Sequence, residues 1–249
     1  MWTDTAGSTR ANRAFYLDAY AAAADGPVVE LGVGDGRIVV PAALAGRDII
    51  GVDLSPAMLA LCRRRADEAG VLNRLTLIEA DFSNFHLNEP AALIALPYHS
   101  LGHVLTLENK RRVLAHVFSQ LRPGGRFIFD DFLMTPALLA HMHQVQLRAE
   151  YRDAAGTDRL LWVTSLVDAS TQAIRVVTWE DALDATGRLI DRRYRRLSLS
   201  WLTPAQAHEL LAAAGFLVET CYGDFDKTPF APETAREQIW VARRPAHSQ

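Results

Sequence analysis

Apolar runs alternate with amphipathic helical patterns along the first 130 residues of the chain. Between the runs, apolar side chains recur at the spacing of one helix face, over 37–45, over 56–69 and again after Thr106, a good N-cap residue. A similar pattern over 11–24 predicts a helix before the first strand. The runs themselves predict strands over 28–31, 48–53, 75–79, 91–96 and 126–130. Strands that alternate with helices favour a parallel sheet with helices on both faces.

The pattern changes beyond residue 145. A helix that begins at Thr203 and strands over 217–222 and 238–242 complete the chain. Before them, β-rich segments follow one another with short turns, which predicts an antiparallel meander over 146–153, 159–168, 172–184 and 188–200. We therefore predict a single α/β domain over 1–249, in which residues 146–200 are an antiparallel insertion.

Composition and charge exclude several classes of protein. The formal net charge of −3 gives no overall attraction to nucleic acid or to an anionic membrane, and the basic cluster over 192–196 would divide between two faces of a strand. Cys62 and Cys221 form no CxxC pattern, which argues against a zinc ribbon or a disulfide framework. No apolar run approaches the ~18 residues of a membrane span, and the N-terminus lacks the apolar core of a signal peptide. We expect a cytoplasmic protein without nucleic-acid or membrane partners.

Candidate chemistry begins where the first strand ends, at Glu30-Leu31-Gly32-Val33-Gly34-Asp35-Gly36. Glycines after a strand let a ligand approach the backbone closely. A dinucleotide site requires G-x-G-x-x-G, whereas the spacing here is G-x-G-x-G. The carboxylate of Glu30 is poorly placed for a pyrophosphate, but it suits a ligand that carries positive charge. S-adenosylmethionine, with its sulfonium and ammonium groups, is such a ligand.

Two further acids follow the next strands. Asp53 ends the second strand and can accept hydrogen bonds from a ribose diol, a feature that nicotinamide and S-adenosylmethionine sites share. Asp81 follows the third strand and offers an acceptor for an adenine amino group, with Phe82 beside it as an aromatic wall. All these positions lie at the carboxyl ends of predicted parallel strands, where open α/β sheets bind ligands.

This ordered set of motifs resembles the class I S-adenosylmethionine-dependent methyltransferases. The resemblance covers residues 25–132 in order and spacing, and the elements over 203–243 fit the closing part of that family's fold. The segments that carry it are Glu30 to Gly36, Gly51-Val52-Asp53-Leu54-Ser55-Pro56-Ala57-Met58, Glu79-Ala80-Asp81-Phe82, Leu96-Pro97-Tyr98-His99-Ser100 and Leu121-Arg122-Pro123-Gly124-Gly125.

The resemblance implies a three-layer Rossmann-like fold with a seven-stranded, mostly parallel sheet whose last strand is antiparallel. It also implies S-adenosylmethionine as the cofactor, with its methionine portion held by Glu30 and the glycines, its ribose by Asp53 and its adenine by Asp81 with Phe82. Met58 would pack near the adenine, and Tyr16 would close over the cofactor from the N-terminal helix. The cofactor-binding residues predicted in this way are Tyr16, Glu30, Gly32, Gly34, Gly36, Asp53, Leu54, Met58, Asp81, Phe82, Leu96 and Tyr98.

The acceptor is predicted only as a class. The layout is similar to that of amino-sugar and glycine-type N-methyltransferases, which implies a small-molecule acceptor. The chain has Leu96-Pro97-Tyr98-His99 in place of the Asn-Pro-Pro-Tyr of amide and base methylation, which disfavours those substrates. Whether nitrogen or oxygen is methylated stays open, with nitrogen favoured. We expect residues 146–200 to form part of the acceptor site or a homodimer contact.

His99 and His103 follow the fourth strand, where the acceptor is expected. Histidine is suited to removing a proton from a hydroxyl or ammonium group near neutral pH. We predict His103 as the base and His99 as a residue that lines the cofactor site, although a structural role explains either one. No histidine has the spacing of a metal site, so we predict no metal. Two alternatives remain: a nicotinamide-dependent oxidoreductase, and a protein that binds S-adenosylmethionine without methylating.

Overall fold

The structure is a computed structural model that describes residues 6–246, with side chains described from Arg10 onward. It divides into two compact units. The parallel-sheet unit comprises residues 7–133 and the segment from Leu202 onward, and the meander unit contains residues 134–201. The prediction of one domain with an insertion over 146–200 stays a prediction.

The helices and strands follow the predicted order, apart from one additional helix over Pro136–Met142. The helices are α1 (Ala6–Ala21), α2 (Val39–Leu44), α3 (Pro56–Glu68), α4 (Leu107–Gln120), α5 (Pro136–Met142) and α6 (Pro204–Ala213). The strands are β1 (Val28–Leu31), β2 (Ile49–Asp53), β3 (Leu75–Glu79), β4 (Ala91–Leu96), β5 (Leu121–Phe132), β6 (Gln146–Arg152), β7 (Asp158–Asp168), β8 (Ala173–Leu183), β9 (Leu189–Ser200), β10 (Leu217–Tyr222) and β11 (Glu237–Arg243).

The sheet of the parallel-sheet unit has seven strands in the order β10-β11-β5-β4-β1-β2-β3. All pairings among strands β1 to β5 are parallel, whereas β11 runs antiparallel to both β5 and β10. All residues of β4 are buried, as expected for a central parallel strand with both faces covered. The predicted seven-stranded, mostly parallel sheet with an antiparallel last strand is confirmed.

Helices cover both faces of this sheet. Alternate strand residues join two separate apolar clusters, since successive side chains of a strand point to opposite faces. Val29 packs in one cluster with Val117 of α4 and Leu211 of α6. Val28 packs in the other cluster with residues of α1, α2 and α3, among them Leu59 of α3. The result is the predicted three-layer arrangement.

Two predicted boundaries are wrong for identifiable reasons. The fifth strand begins at Leu121, not at 126, because Leu121 pairs with Ala91 and Arg126 pairs with Leu93. The glycine-rich segment between these pairs therefore lies within the strand as an irregularity. The second helix begins at Val39, not at 37, because residues 37 and 38 form the turn that leads from the left-handed Gly36 into the helix, with Ile38 at the N-cap.

The meander unit contains a four-stranded antiparallel sheet in the order β6-β7-β8-β9, which confirms the predicted meander. Trp162, Trp179 and Tyr194 are cross-strand neighbours, and each adjacent pair of ring centroids is 6.2 Å apart. Arg192, from the basic cluster, binds both carboxylate oxygens of Asp181 at 2.5 and 2.8 Å. Part of that cluster is therefore already paired within the unit.

None of the helices that the structure describes is long and apolar enough to cross a membrane.

Candidate functional site

The turn after β1 is built from glycines in left-handed conformations. Gly32, Gly34 and Gly36 have φ values of 70°, 55° and 86°. A Cβ on Gly36 would lie 2.8 Å from Sγ of Cys62 in α3 and 2.9 Å from Cγ2 of Val40 in α2. The turn therefore packs too closely on both helices to accept a side chain there.

Asp53 fixes this turn to the end of β2. Its Oδ2 accepts from the Gly34 N–H at 2.8 Å, and its Oδ1 accepts from the Ser55 N–H at 2.8 Å. Each carboxylate oxygen keeps further lone-pair capacity for a ligand. The Gly34 N–H, by contrast, is occupied by Asp53, so the turn does not present it to a phosphate.

A cavity of about 310 Å³ opens beside these residues, and we call it the Asp53 cavity. It is lined by Gly32, Asp53, Leu54, Asp81, Phe82, Ser100, His103 and Val104. The lining comes from the segments that follow β1, β2, β3 and β4, so the cavity lies at the carboxyl edge of the sheet. Its walls combine carboxylate acceptors with the Phe82 ring, a chemistry that suits a nucleoside.

His103 belongs to the Asp53 cavity. It lies in the 3₁₀ turn Ser100–His103 that follows β4. Burial lowers the pKa of His103, and the charge of Lys110 lowers it further, against an opposing effect of Asp53. The imidazole is therefore neutral near pH 7 and able to accept a proton.

Glu30 is a buried acid close to the glycine turn. The residue is 3% exposed, and the Tyr20 hydroxyl donates to its Oε2 at 2.6 Å. Burial raises the pKa of Glu30 to about 8, although the Tyr20 bond and the Arg37 charge both lower it. A positively charged group beside this carboxyl would favour its ionised form.

A second group of residues, which we call the His99 cluster, surrounds Asp130. It consists of Tyr16, Tyr98, His99, Asp130, Phe132 and Glu237. Asp130 is fully buried and accepts from the backbone N–H groups of Tyr98 at 2.9 Å and of His99 at 2.8 Å, and from the Tyr16 hydroxyl at 2.5 Å. Tyr98 and His99 have φ values of 65° and 54°. Two consecutive left-handed non-glycine residues are strained, and Asp130 holds both.

The His99 imidazole lies between acids. Its Nε2 is 2.7 Å from Oε2 of Glu237 and 3.6 Å from Oδ2 of Asp130, and its ring stacks on Phe132 with centroids 4.0 Å apart. Burial lowers the pKa of His99, but Glu237 and then Asp130 outweigh it and raise the pKa to about 9. His99 is therefore an imidazolium near pH 7 and cannot serve as a base in that state.

The structure thus separates the predicted site residues. The Asp53 cavity brings together Gly32, Asp53, Leu54, Asp81, Phe82 and His103. Glu30, Gly34 and Gly36 lie in or next to the glycine turn. Tyr98 and His99 belong to the His99 cluster, and so does Tyr16, whose buried hydroxyl is held by Asp130. Leu96 is buried at the end of β4, while Met58 is 44% exposed on α3 outside the cavity lining.

Sequence reasoning missed Ser100 and Val104 in the cavity, and Glu237 beside His99. Ser100 was within reach, because it is the last residue of the quoted motif after β4. Glu237 had a signal too: the first residue of an antiparallel last strand lies at the carboxyl edge of the parallel strands. Among the described residues, no group of three histidine, cysteine or acidic side chains is placed to hold a metal ion.

Comparisons with known proteins identify methyltransferases as similar proteins. Residues 28–125 match the family model described as a methyltransferase domain. An uncharacterized methyltransferase of Bacillus cytotoxicus is 33% identical over 106 residues, which are 43% of this chain and 47% of that protein. A carboxy-S-adenosyl-L-methionine synthase of Chromohalobacter salexigens is 27% identical over 178 residues, which are 69% of this chain and 62% of that protein. The chain therefore spans less than two thirds of the length of these relatives.

Solved structures share the fold along nearly the whole chain. The CcbJ methyltransferase of Streptomyces caelestis has a TM-score of 0.79 at 23% identity, and the match covers 98% of this chain and 94% of that chain. The sugar N-methyltransferase KedS8 of Streptoalloteichus sp. has a TM-score of 0.74 at 19% identity and covers 98% and 89%. Residues 28–125 therefore match a methyltransferase domain, and nearly the whole chain shares the Rossmann-like fold of these solved methyltransferase structures.

Proposed function

We propose that the protein transfers a methyl group from S-adenosylmethionine to a nitrogen or oxygen of a small molecule. One observation carries the choice of cofactor: the Gly34 N–H of the glycine turn donates to Asp53. The following helix, α2, is short (Val39–Leu44) and begins only after the left-handed Gly36. A dinucleotide pyrophosphate needs the backbone N–H groups of such a turn to be unpaired. A nucleoside with a cationic amino-acid tail needs acidic side chains around the turn instead.

The residues present fit such a cofactor. The absence of a side chain at Gly32 leaves space in the cavity for a ligand. An added Cβ would fill that space, since it would lie 3.2 Å from Oγ of Ser100 and 3.4 Å from Cζ of Phe82. We assign the ribose hydroxyls to the Asp53 carboxylate and the adenine to Asp81 and Phe82. Glu30 would receive the cationic methionine portion, whose charge relieves the cost of ionising a buried carboxyl.

The bound cofactor would supply a methyl group already activated by the sulfonium. The protein then has to orient the acceptor, exclude water and take up a proton where the acceptor loses one. His103 is neutral near pH 7 and remains our candidate base. His99 is already protonated through Glu237 and Asp130, and we assign it to the wall of the site.

We favour nitrogen over oxygen as the methylated atom. The support is the whole-chain likeness to a sugar N-methyltransferase together with the layout of motifs after β4. The acceptor would be a small amine, and residues 146–200 would contribute to its binding or to a homodimer contact. A cytoplasmic location and the lack of nucleic-acid partners stay predictions.

A second candidate is a protein that uses S-adenosylmethionine without methylating an acceptor. The observation behind this alternative is the match to a carboxy-S-adenosyl-L-methionine synthase over 178 residues, although the comparisons as a whole favour methyl transfer. Mass spectrometry separates the two: a methyltransferase yields S-adenosylhomocysteine and an acceptor heavier by one methylene, whereas the alternative modifies the cofactor itself.

The test is turnover with a panel of amino sugars and simple amines. We expect S-adenosylhomocysteine release with at least one amine, and its strong reduction in His103→Gln. The control is His208→Gln, which changes an exposed histidine of α6. Unchanged turnover in His103→Gln would remove the base role. Absence of S-adenosylhomocysteine release with every acceptor, together with a modified cofactor, would favour the second candidate.

A further inference from the structure

A lysine is buried next to the Asp53 cavity, where no motif predicts one. Lys110 lies on α4 and is 1% exposed. Its ammonium donates to the carbonyl oxygen of Leu101 at 2.6 Å. That carbonyl also accepts from the Val104 N–H at 3.1 Å, so it is the point at which α4 joins the 3₁₀ turn Ser100–His103.

Burying an ammonium group costs free energy, which the bond to Leu101 has to offset. The other buried positions of α4 are Val113, Leu114 and Val117, and an aliphatic side chain would suit Lys110's position as well. The Asp131 carboxyl of β5 is the charge that opposes the burial penalty, which nevertheless lowers the pKa of Lys110 to about 8. The short bond to the Leu101 carbonyl ties α4 to the 3₁₀ turn at this point.

We propose that Lys110 is a positioning residue of the cofactor site. Its bond to Leu101 holds the 3₁₀ turn in the place where Ser100 and His103 wall the Asp53 cavity. Ser100 is further tied within this segment, because its hydroxyl donates to the Pro97 carbonyl at 2.5 Å. The inference rests on the proposed function, since it takes the cavity as the nucleoside site.

Lys110 also acts on His103 through charge. The lysine is one of the groups that lower the pKa of His103, after burial and against Asp53. Removing the ammonium therefore has a second, spectroscopic consequence: the His103 pKa should rise. The rise in the His103 pKa reports the charge of Lys110 at His103, whereas the loss of cofactor affinity reports its hold on the turn.

The first experiment is calorimetric titration of the full chain with S-adenosylhomocysteine. Lys110→Met should weaken binding about tenfold, the order expected for losing one hydrogen bond to a charged group. The matched control is Val117→Ala, which disturbs the buried face of the same helix without a bond to the turn and should change the affinity less than about twofold.

The second experiment follows the His103 imidazole by NMR as a function of pH. Its pKa should rise in Lys110→Met and stay unchanged in Val117→Ala. Should the methionine variant not fold, Lys110→Gln is measured in the same two ways. Wild-type affinity in the lysine variant would overturn the inference, whatever the pKa of His103. If the wild-type protein itself does not bind S-adenosylhomocysteine, the proposed function fails, and this inference fails with it.

Discussion

The Asp53 cavity and the His99 cluster lie at the same edge of one sheet, but they are assembled differently. The cavity takes its residues from the ends of four parallel strands and from the segments that follow them, so each residue lies at a strand end or in the segment directly after one. The cluster joins α1, β5 and β11, with partners 114 and 138 residues apart in sequence. The acids of the cavity lie at or just after strand ends, whereas the buried charges of the His99 cluster come from long-range pairing.

The largest expected effect comes from breaking the His99 cluster at Asp130. Asp130→Ala removes the acceptor of two backbone N–H groups and of the Tyr16 hydroxyl, and leaves the strained Tyr98–His99 backbone without support. We expect the free energy of unfolding to fall by about 3–5 kcal/mol in chemical denaturation. Asp67→Ala, on the exposed end of α3, should change it by less than about 0.5 kcal/mol. A loss below about 1 kcal/mol at Asp130 would contradict this account of the cluster.

Breaking the cavity at Asp53 should affect ligand binding instead. Asp53→Ala removes the proposed ribose acceptor and the bond to the Gly34 N–H, so we expect S-adenosylhomocysteine affinity to fall about 100-fold by calorimetry. Asp48→Ala serves as control, because Asp48 forms an exposed pair with Arg74 at the other end of the same strand. Its affinity should stay within about twofold of wild type. Equal losses in the two variants would argue against a ribose site at Asp53.

The packing of the glycine turn gives a smaller, stability-based test. Gly36→Ala places a Cβ 2.8 Å from Sγ of Cys62, whereas Gly46→Ala, at a similarly positive φ, meets nothing within 4 Å. We expect Gly36→Ala to cost about 1–3 kcal/mol more than Gly46→Ala in thermal or chemical unfolding. Adding Cys62→Ala to Gly36→Ala should recover part of the difference. Equal costs for the two glycine variants would show that the close approach is not what requires Gly36.

The smallest expected effect concerns the charge of His99. Glu237→Gln should lower the pKa of His99 from about 9, which NMR titration can follow, while Glu233→Gln on an exposed loop should leave it unchanged. Because the folded pKa is raised, the protonated histidine stabilises the fold fully below its unfolded pKa near 6.5, and this contribution is lost as the pH rises through 9. The Glu237→Gln protein should therefore lose less stability over that range. An unmoved His99 pKa would show that Glu237 is not its partner.

The same contrast between local and long-range residues explains how much of the fold and of the site can be predicted from the sequence. The order of strands, the glycine turn and the residues after β1, β2 and β3 follow from local spacing, so Asp53, Asp81 and Phe82 were predictable as neighbours. The protonation states of His99 and His103 were not predictable. They depend on the charges of Glu237, Asp130 and Lys110, which lie near the two histidines only in the folded chain. The left-handed Tyr98 and His99 likewise require Asp130, which lies 31 residues away from His99 in sequence.

The most direct test of the central claim is calorimetric titration of the wild-type protein with S-adenosylhomocysteine and, separately, with NAD. The arrangement of Glu30, Asp53 and Asp81 around a glycine turn whose Gly34 N–H is already occupied predicts binding of one S-adenosylhomocysteine per chain and no binding of NAD. Tight binding of NAD without binding of S-adenosylhomocysteine would contradict it.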